Sequence, residues 1–374
     1  MKSLGLYIHI PFCISKCRYC DFCSFPHPKQ ETVKKYISVL KSEIEEYGTR
    51  YAEYTVNTVY FGGGTPTLLS ADDLTSILKA IKLNFRLSRD AEITAECNPA
   101  TADEKYFKAM RYEGFNRLSL GVQSMNDGEL KRLGRLHSAN DVKKAFADAK
   151  NAGFDNISAD VMFGIPDQTA ASLSQTLDEI LALSPTHISL YGLKIEEGTY
   201  FARHEGELAL PDEDEEYEMY MTSVKKLAKG GFARYEISNF AKEGFFSRHN
   251  MKYWQREDYL GMGISAHSCI GNLRFSENDN MENYSVQSRE ISSETISQHD
   301  ILCEKIMLGM RLEQGVDFER LAKSHGNIAL KYRNALRAFV NDGYVTEENG
   351  TLRFTDKGMY ISNYILSEIL DFEE

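Results

Sequence analysis

Three cysteines set the tightest limit on what this chain can fold into. Cys13, Cys17 and Cys20 lie in the stretch YIHIPFCISKCRYCDFC from Tyr7 to Cys23, and with Cys23 they crowd together, whereas Cys97, Cys269 and Cys303 are far apart. A short apolar strand from Leu4 to Ile10 runs into Pro11, which puts the cysteines in a loop where backbone can wrap an inorganic centre. A thiolate-rich loop suits soft metals, either zinc or an iron–sulfur cluster. Structural zinc usually closes with four ligands in paired knuckles, and no second Cys-x2-Cys or His-x3-His partner occurs elsewhere in the chain. Cys-x3-Cys-x2-Cys instead supplies three thiolates to a cubane and leaves one iron open for a substrate or cofactor. The plainer alternative is a run of free cysteines, although free cysteine is normally scattered through a core. Cys23 is either a fourth ligand or a bystander, and the bystander reading is preferred.

Composition narrows the setting. The 374 residues suggest two domains, and 42% hydrophobic content is ample for a sizeable core. Clustered reduced cysteines without a signal peptide point to a reducing compartment, so a cytoplasmic location is expected. No apolar run approaches the roughly 18 to 20 residues that span a bilayer, so any membrane association is expected to be peripheral. A formal charge of −12 disfavours nucleic acid and anionic lipid as general partners.

Hydrophobic periodicity then alternates. Gln30 to Tyr51 places Val33, Ile37, Leu40, Ile44 and Tyr47 on one helical face. Strand Asn57 to Phe61 runs into Gly62-Gly63-Gly64-Thr65-Pro66, followed by a helix from Ser70 to Leu83 with Ser70 as N-cap. Strands at Ala91 to Cys97, Arg117 to Gln123, Asn156 to Phe163 and His187 to Leu193 continue the cycle, with helices between them. Six strands joined by helical crossovers predict an α/β fold, a parallel sheet curled into a partial (βα)6 TIM-like barrel. In such a barrel functional residues sit at the carboxyl ends of strands, and Glu96, Gln123 and Asp160 fall at or near such ends. Beyond Leu193 the alternation fades: a helix to about Lys229 and a strand at Arg234 to Asn239 precede a dense loop from Phe246 to Ile270, then a polar stretch near Ser276 to Ser297. Helices at Asp300 to Met310, Asp317 to Lys323 and Ile328 to Asn341, with a hairpin folded at Asn349-Gly350, predict a small winged-helix-like domain. From Asp300 onward nine Lys and Arg face thirteen Asp and Glu, which argues against phosphate binding there. The expected divisions are 1–240, 241–298 and 299–374.

The CxxxCxYCDF pattern resembles that of the radical S-adenosylmethionine (SAM) superfamily, in the branch containing oxygen-independent coproporphyrinogen III oxidases and HemW-type haem chaperones. The resemblance implies a barrel of radical SAM type, a 4Fe-4S cluster on Cys13, Cys17 and Cys20, and SAM bound through its amine and carboxylate at the open iron. GGGTP would bring Gly63, Gly64 and Thr65 to the methionine end of SAM, since residues without side chains let backbone approach a ligand closely. Glu96 of AECNP, Gln123 of GVQS, Arg135 of LGR and Asp160 of SADVMFGIP would line the same mouth, carboxylates accepting from a ribose diol or amine and the guanidinium meeting a carboxylate. Tyr7 and Tyr19 carry over by position, Tyr19 through its backbone. Exposed loop carboxylates and a simple tight turn are the plainer readings of these motifs.

Two functions compete within the branch. The oxidase uses a 5'-deoxyadenosyl radical on the propionate side chains of coproporphyrinogen III. The chaperone keeps the scaffold and hands haem to apo-haemoproteins. Phe22 stands where the oxidases tend to carry a cysteine, twelve residues precede Cys13 where they resemble one another in a long arm, and His249-Asn250-Met251-Lys252-Tyr253-Trp254 resembles the HNxxYW motif of the chaperones. The chaperone is therefore the preferred reading, with the oxidase as alternative and enzymatic activity left open. His249 is the candidate haem ligand, although a lone histidine in an aromatic loop is more often a hydrogen-bonded structural residue; His267 is a second candidate. Haem and client haemoproteins are the implied partners, and a homodimer is compatible with the sequence.

Overall fold

The computed structural model describes residues 2–285 and 291–372. The polar stretch expected near Ser276 to Ser297 lies partly outside these residues, as do the outermost ends of the first and last expected divisions. The fold is dominated by one sheet of twelve strands. Its parallel half is β1 (Lys2–Ile10), β2 (Tyr54–Gly63), β3 (Leu87–Cys97), β4 (Arg117–Gln123), β5 (Ile157–Phe163) and β6 (His187–Gly192), each paired with the next. Their central residues are buried on both faces: alternate residues such as Leu4, Leu6, Ile8 and Ile10 form one apolar face, and the residues between them point to the other. Helices at Gln30–Arg50, Ala71–Asn84, Glu104–Glu113, Ala139–Asn151 and Ala170–Ala182 make the crossovers. Ser70 caps the second of these as expected, its side chain accepting from the Asp73 amide.

The remaining strands extend the sheet beyond the six that periodicity reveals. The run read as a strand from Arg234 to Asn239 is a reversal: β7 (Ala233–Arg234) and β8 (Asn239–Ala241) pair antiparallel, and β8 pairs antiparallel with β6. The stretch from Phe246 to Ile270 is not a loop. It holds a short helix, Arg248–Trp254, then β9 (Tyr259–Met262), which lies parallel to β1, and β10 (His267–Ile270), antiparallel to β9. Its glycines and aromatics hid the strand signal: a Cβ on Gly261 would lie 2.3 Å from the His267 carbonyl oxygen, so close pairing selects glycine there. β11 (Leu273–Glu277) and β12 (Ile291–Thr295) complete that side.

The C-terminal unit has its own core of Leu302, Ile306, Met310, Phe318, Tyr332, Leu336 and Phe354. Helices Gln298–Met310, Phe318–His325 and Asn327–Arg337 surround a hairpin of Val345–Glu348 and Thr351–Phe354. Asn349 and Gly350 turn it with φ of 51° and 80°, the paired left-handed conformation that an Asn-Gly two-residue turn provides.

Candidate functional site

The carboxyl ends of the parallel strands surround a cavity of about 360 Å³. Cys13, Cys17, Cys20, Tyr19, Gly63, Gly64, Thr65, Glu96, Gln123, Arg135 and Asp160 all line it, so eleven of the candidates drawn from separate stretches of sequence share one surface. Tyr7 and His249 do not.

Backbone pairing fixes the cysteine loop against the glycine loop. The Gly64 amide donates to the Ile10 carbonyl at 2.9 Å and the Thr65 amide to the Phe12 carbonyl at 2.8 Å. A Cβ on Gly64 would sit 2.7 Å from the Phe12 oxygen, so only glycine allows this approach. Gly63, at φ 107°, turns the chain away from β2. The Thr65 hydroxyl lies 3.7 Å from Cys13 Sγ, and Arg135 Nη1 lies 3.5 Å from Cys17 Sγ while Nη2 donates to the Gly121 carbonyl at 2.6 Å.

On the far wall, Glu96 accepts from the Tyr60 hydroxyl at 2.9 Å and from the Gly63 amide at 3.2 Å. Burial away from water pushes its carboxyl up to about 7, and the nearby Asp160 adds to the rise. Asp160 is raised as well, chiefly by burial, although Ser119 donates to it at 3.0 Å. Register explains the grouping: Glu96 pairs with Ser119 across β3 and β4, and Asp160 with Ser189 across β5 and β6. Gln123 ends β4 with φ of 64°, a conformation uncommon for a residue with a side chain, and its Oε1 is buried without a partner among the described residues.

These features suit the expected groups. Three free, half-buried thiols share one cavity with a glycine cradle that leaves backbone accessible. The orphaned Gln123 carbonyl oxygen and Arg135 Nε offer a polar ligand an acceptor and a donor.

Tyr7 does not line the cavity itself, but it shares a sheet face with Tyr60, its partner across β1 and β2, and lies beside Glu96 at the cavity's edge. It stacks near Tyr60 at 6.3 Å, its hydroxyl lies 3.0 Å from His9 Nδ1, and it lines a neighbouring cleft of about 380 Å³ with Phe22, Cys23, Tyr253, Tyr259 and His267. Cys23 therefore faces this second cleft, its Sγ 3.8 Å from the Asp279 carbonyl oxygen, and not the cavity of the other three. His249 lies behind it, only 1% exposed. Its Nδ1 is 2.9 Å from Thr58 Oγ1 and its Nε2 2.9 Å from the Tyr253 hydroxyl, and the ring stacks on Tyr60 at 5.2 Å. Burial, with the Lys252 charge, holds the imidazole neutral down to about 3. The Glu92 carboxylate fixes this helix start by accepting from the Arg248 and His249 amides. His267 is exposed at the rim of the cleft.

Sequence reasoning missed Tyr60, Ser119, Ser158, Ser189 and Tyr191, which hold or flank the two carboxylates. The signal was there in alternation: Ser119, Gly121 and Gln123, Ser158 and Asp160, and Ser189 and Tyr191 recur at every second position, so polar residues face inward from successive strands.

Among the described residues no helix is long and apolar enough to cross a membrane. The Radical SAM superfamily matches residues 7–180, and the HemN C-terminal domain matches residues 296–361. Heme chaperone HemW of Bacillus subtilis (strain 168) is 34% identical, covering 99% of this chain and 99% of its own length. Heme chaperone HemW of Escherichia coli (strain K12) is 32% identical, again covering 99% of both. The solved structure of coproporphyrinogen III oxidase (HemN) from Escherichia coli, a radical SAM enzyme, aligns with a TM-score of 0.86 at 22% identity over 99% of this chain and 90% of that one, which shows a shared fold. With both of its parts matched and full-length relatives above 30% identity, the chain belongs to the radical SAM superfamily, in the family of the HemW proteins.

Proposed function

We propose that this chain is a haem chaperone of the radical SAM type, which binds haem and passes it to apo-haemoproteins in the cytoplasm. The observation that carries this reading is full-length identity of 34% and 32% to proteins named heme chaperone HemW, against 22% to the oxidase that shares the fold. In this reading Cys13, Cys17 and Cys20 hold a 4Fe-4S cluster, which when bound supplies an open iron for SAM and an electron for its cleavage. Gly63 and Gly64 present backbone to the SAM amino-acid end, Arg135 its guanidinium, and Glu96, Gln123 and Asp160 line the rest, with Tyr19 closing the cysteine side. Tyr7 acts one layer back, supporting Tyr60 and so the Glu96 carboxylate.

Haem is assigned to the aromatic cleft beside this cavity. His249 is the proposed haem ligand: its imidazole, which burial holds neutral, is in the form that would bind iron. His267 at the rim is the second candidate. A peripheral membrane contact and a homodimer belong to the same proposal and are tested by vesicle co-sedimentation and analytical ultracentrifugation.

The deciding experiment is anaerobic cluster reconstitution, followed by haem titration and coproporphyrinogen III turnover with SAM and reductant on the same sample. Stoichiometric haem binding without protoporphyrinogen is expected. Turnover without haem binding returns the chain to the oxidase reading.

A further inference from the structure

Far from the strand ends, the C-terminal unit brings together a second set of metal-ligating atoms. His299 and Cys303 lie four residues apart on the helix Gln298–Met310, so they share one face. Asp371, after the last helix, returns to that face. Cys303 Sγ lies 3.7 Å from His299 Nε2, and Asp371 Oδ1 lies 3.6 Å from the same nitrogen. The ligand atoms of all three lie within 4.8 Å of one another. Bonds of about 2.3 Å to sulfur and 2.0 Å to nitrogen or oxygen in a tetrahedral zinc site give ligand–ligand edges of about 3.3 to 3.6 Å. The two edges that meet at His299 Nε2 are thus within a few tenths of an ångström of what one ion demands, and the third, from Cys303 Sγ to Asp371, is no longer than 4.8 Å.

The surroundings are those of a supported site. The Tyr332 hydroxyl lies 3.4 Å from both Cys303 Sγ and His299 Nε2 and donates to Asp371 Oδ1, while Lys331 Nζ lies 3.2 Å from Asp371 Oδ2. A carboxylate held by its outer oxygen while the inner one faces the ligands is a common arrangement around metal ligands.

We infer that His299, Cys303 and Asp371 form a binding site for one borderline-soft divalent cation of the Zn2+ class, which pins the C-terminal tail to the helix Gln298–Met310. One thiolate and one carboxylate neutralise the two charges of the ion. The Cys303 thiol proton leaves to solvent, and the Nε2 proton now donated to the Asp371 carbonyl at 2.6 Å moves to Nδ1, freeing the Nε2 lone pair.

The test uses cluster-loaded full-length protein, with iron content followed throughout so that displacement of cluster iron is detected. Zn2+ is titrated by calorimetry, and retained zinc is measured after dialysis. One zinc per chain with unchanged iron is expected in the wild type, and at least about 100-fold weaker retention in both Cys303→Ser and His299→Ala. Circular dichroism and cluster absorbance establish that the variants are folded. Absence of retained zinc in the wild type, or equal retention in the two folded variants, overturns the inference.

Discussion

The hydroxyl of Tyr60 lies 2.9 Å from Glu96 Oε1 and donates to it. Even with that bond, burial keeps the Glu96 carboxyl near 7, above the ~4.3 of an unfolded chain. The folded apo-protein therefore holds this proton more tightly than the unfolded one, and stability falls as pH rises from about 4.5 to 7. Glu96→Gln removes the ionisation, so apo-Glu96→Gln should exceed wild-type stability at pH 8 by about 2 kcal/mol, with the gain shrinking toward pH 4.5. Urea unfolding at both pH values measures it; a gain independent of pH refutes the shifted carboxyl.

Gly64 should be irreplaceable for cluster retention while mattering less to the fold. An added methyl meets the Phe12 oxygen at 2.7 Å and its nitrogen at 2.8 Å, both backbone atoms that cannot rotate aside. Relief requires the cysteine loop to move off β2, at about 1–3 kcal/mol. Gly64→Ala should therefore lose most reconstituted iron while keeping wild-type far-ultraviolet circular dichroism. Full iron content in this variant counts against the cradle.

Much of this site was legible because its chemistry is carried by unusual residues at strand ends. Cysteines at close spacing, a triple glycine, and carboxylates inside apolar runs violate local expectation, and such violations concentrate where function is. What was not legible is instructive. β9 was hidden because Gly261 and Gly263 lower strand propensity, although sheet pairing is what demands glycine at Gly261. Tyr7 came from sequence position, which does not say that its ring lies one strand over from the cavity, paired with Tyr60 on the rim of the neighbouring cleft. His249 was read from its motif; one of its two hydrogen bonds, to Tyr253, lies within that motif, whereas the other goes to Thr58, nearly two hundred residues earlier, and local pattern carries no such information.

Replacing His249 tests how far its ring supports the fold. Its removal leaves the Thr58 and Tyr253 hydroxyls without a partner and opens a void against Tyr60. His249→Ala should cost about 2–4 kcal/mol. The folded value near 3 lies below the unfolded ~6.5, so the neutral ring contributes most above pH 6.5 and its contribution is lost as pH falls toward 3. The deficit of the variant should accordingly narrow by about 1–2 kcal/mol between pH 7 and pH 5. Denaturant unfolding at the two pH values checks this, and a constant deficit shows that the ring titrates normally.

The four clustered cysteines should divide three to one. Cys13, Cys17 and Cys20 line the cavity beneath the glycine loop, whereas Cys23 lines the cleft on the other side, near the Asp279 carbonyl. A three-thiolate cubane loses a corner whenever one of its sulfurs becomes a hydroxyl, because a serine oxygen is a poor ligand for soft iron. Cys13→Ser, Cys17→Ser and Cys20→Ser should each lose most of the iron, sulfide and visible absorbance after anaerobic reconstitution. Cys23→Ser should keep wild-type values, since its thiol can be lost without uncovering an iron. Equal loss in Cys23→Ser makes that residue a fourth ligand, which closes the iron corner and removes the coordination position that SAM would need.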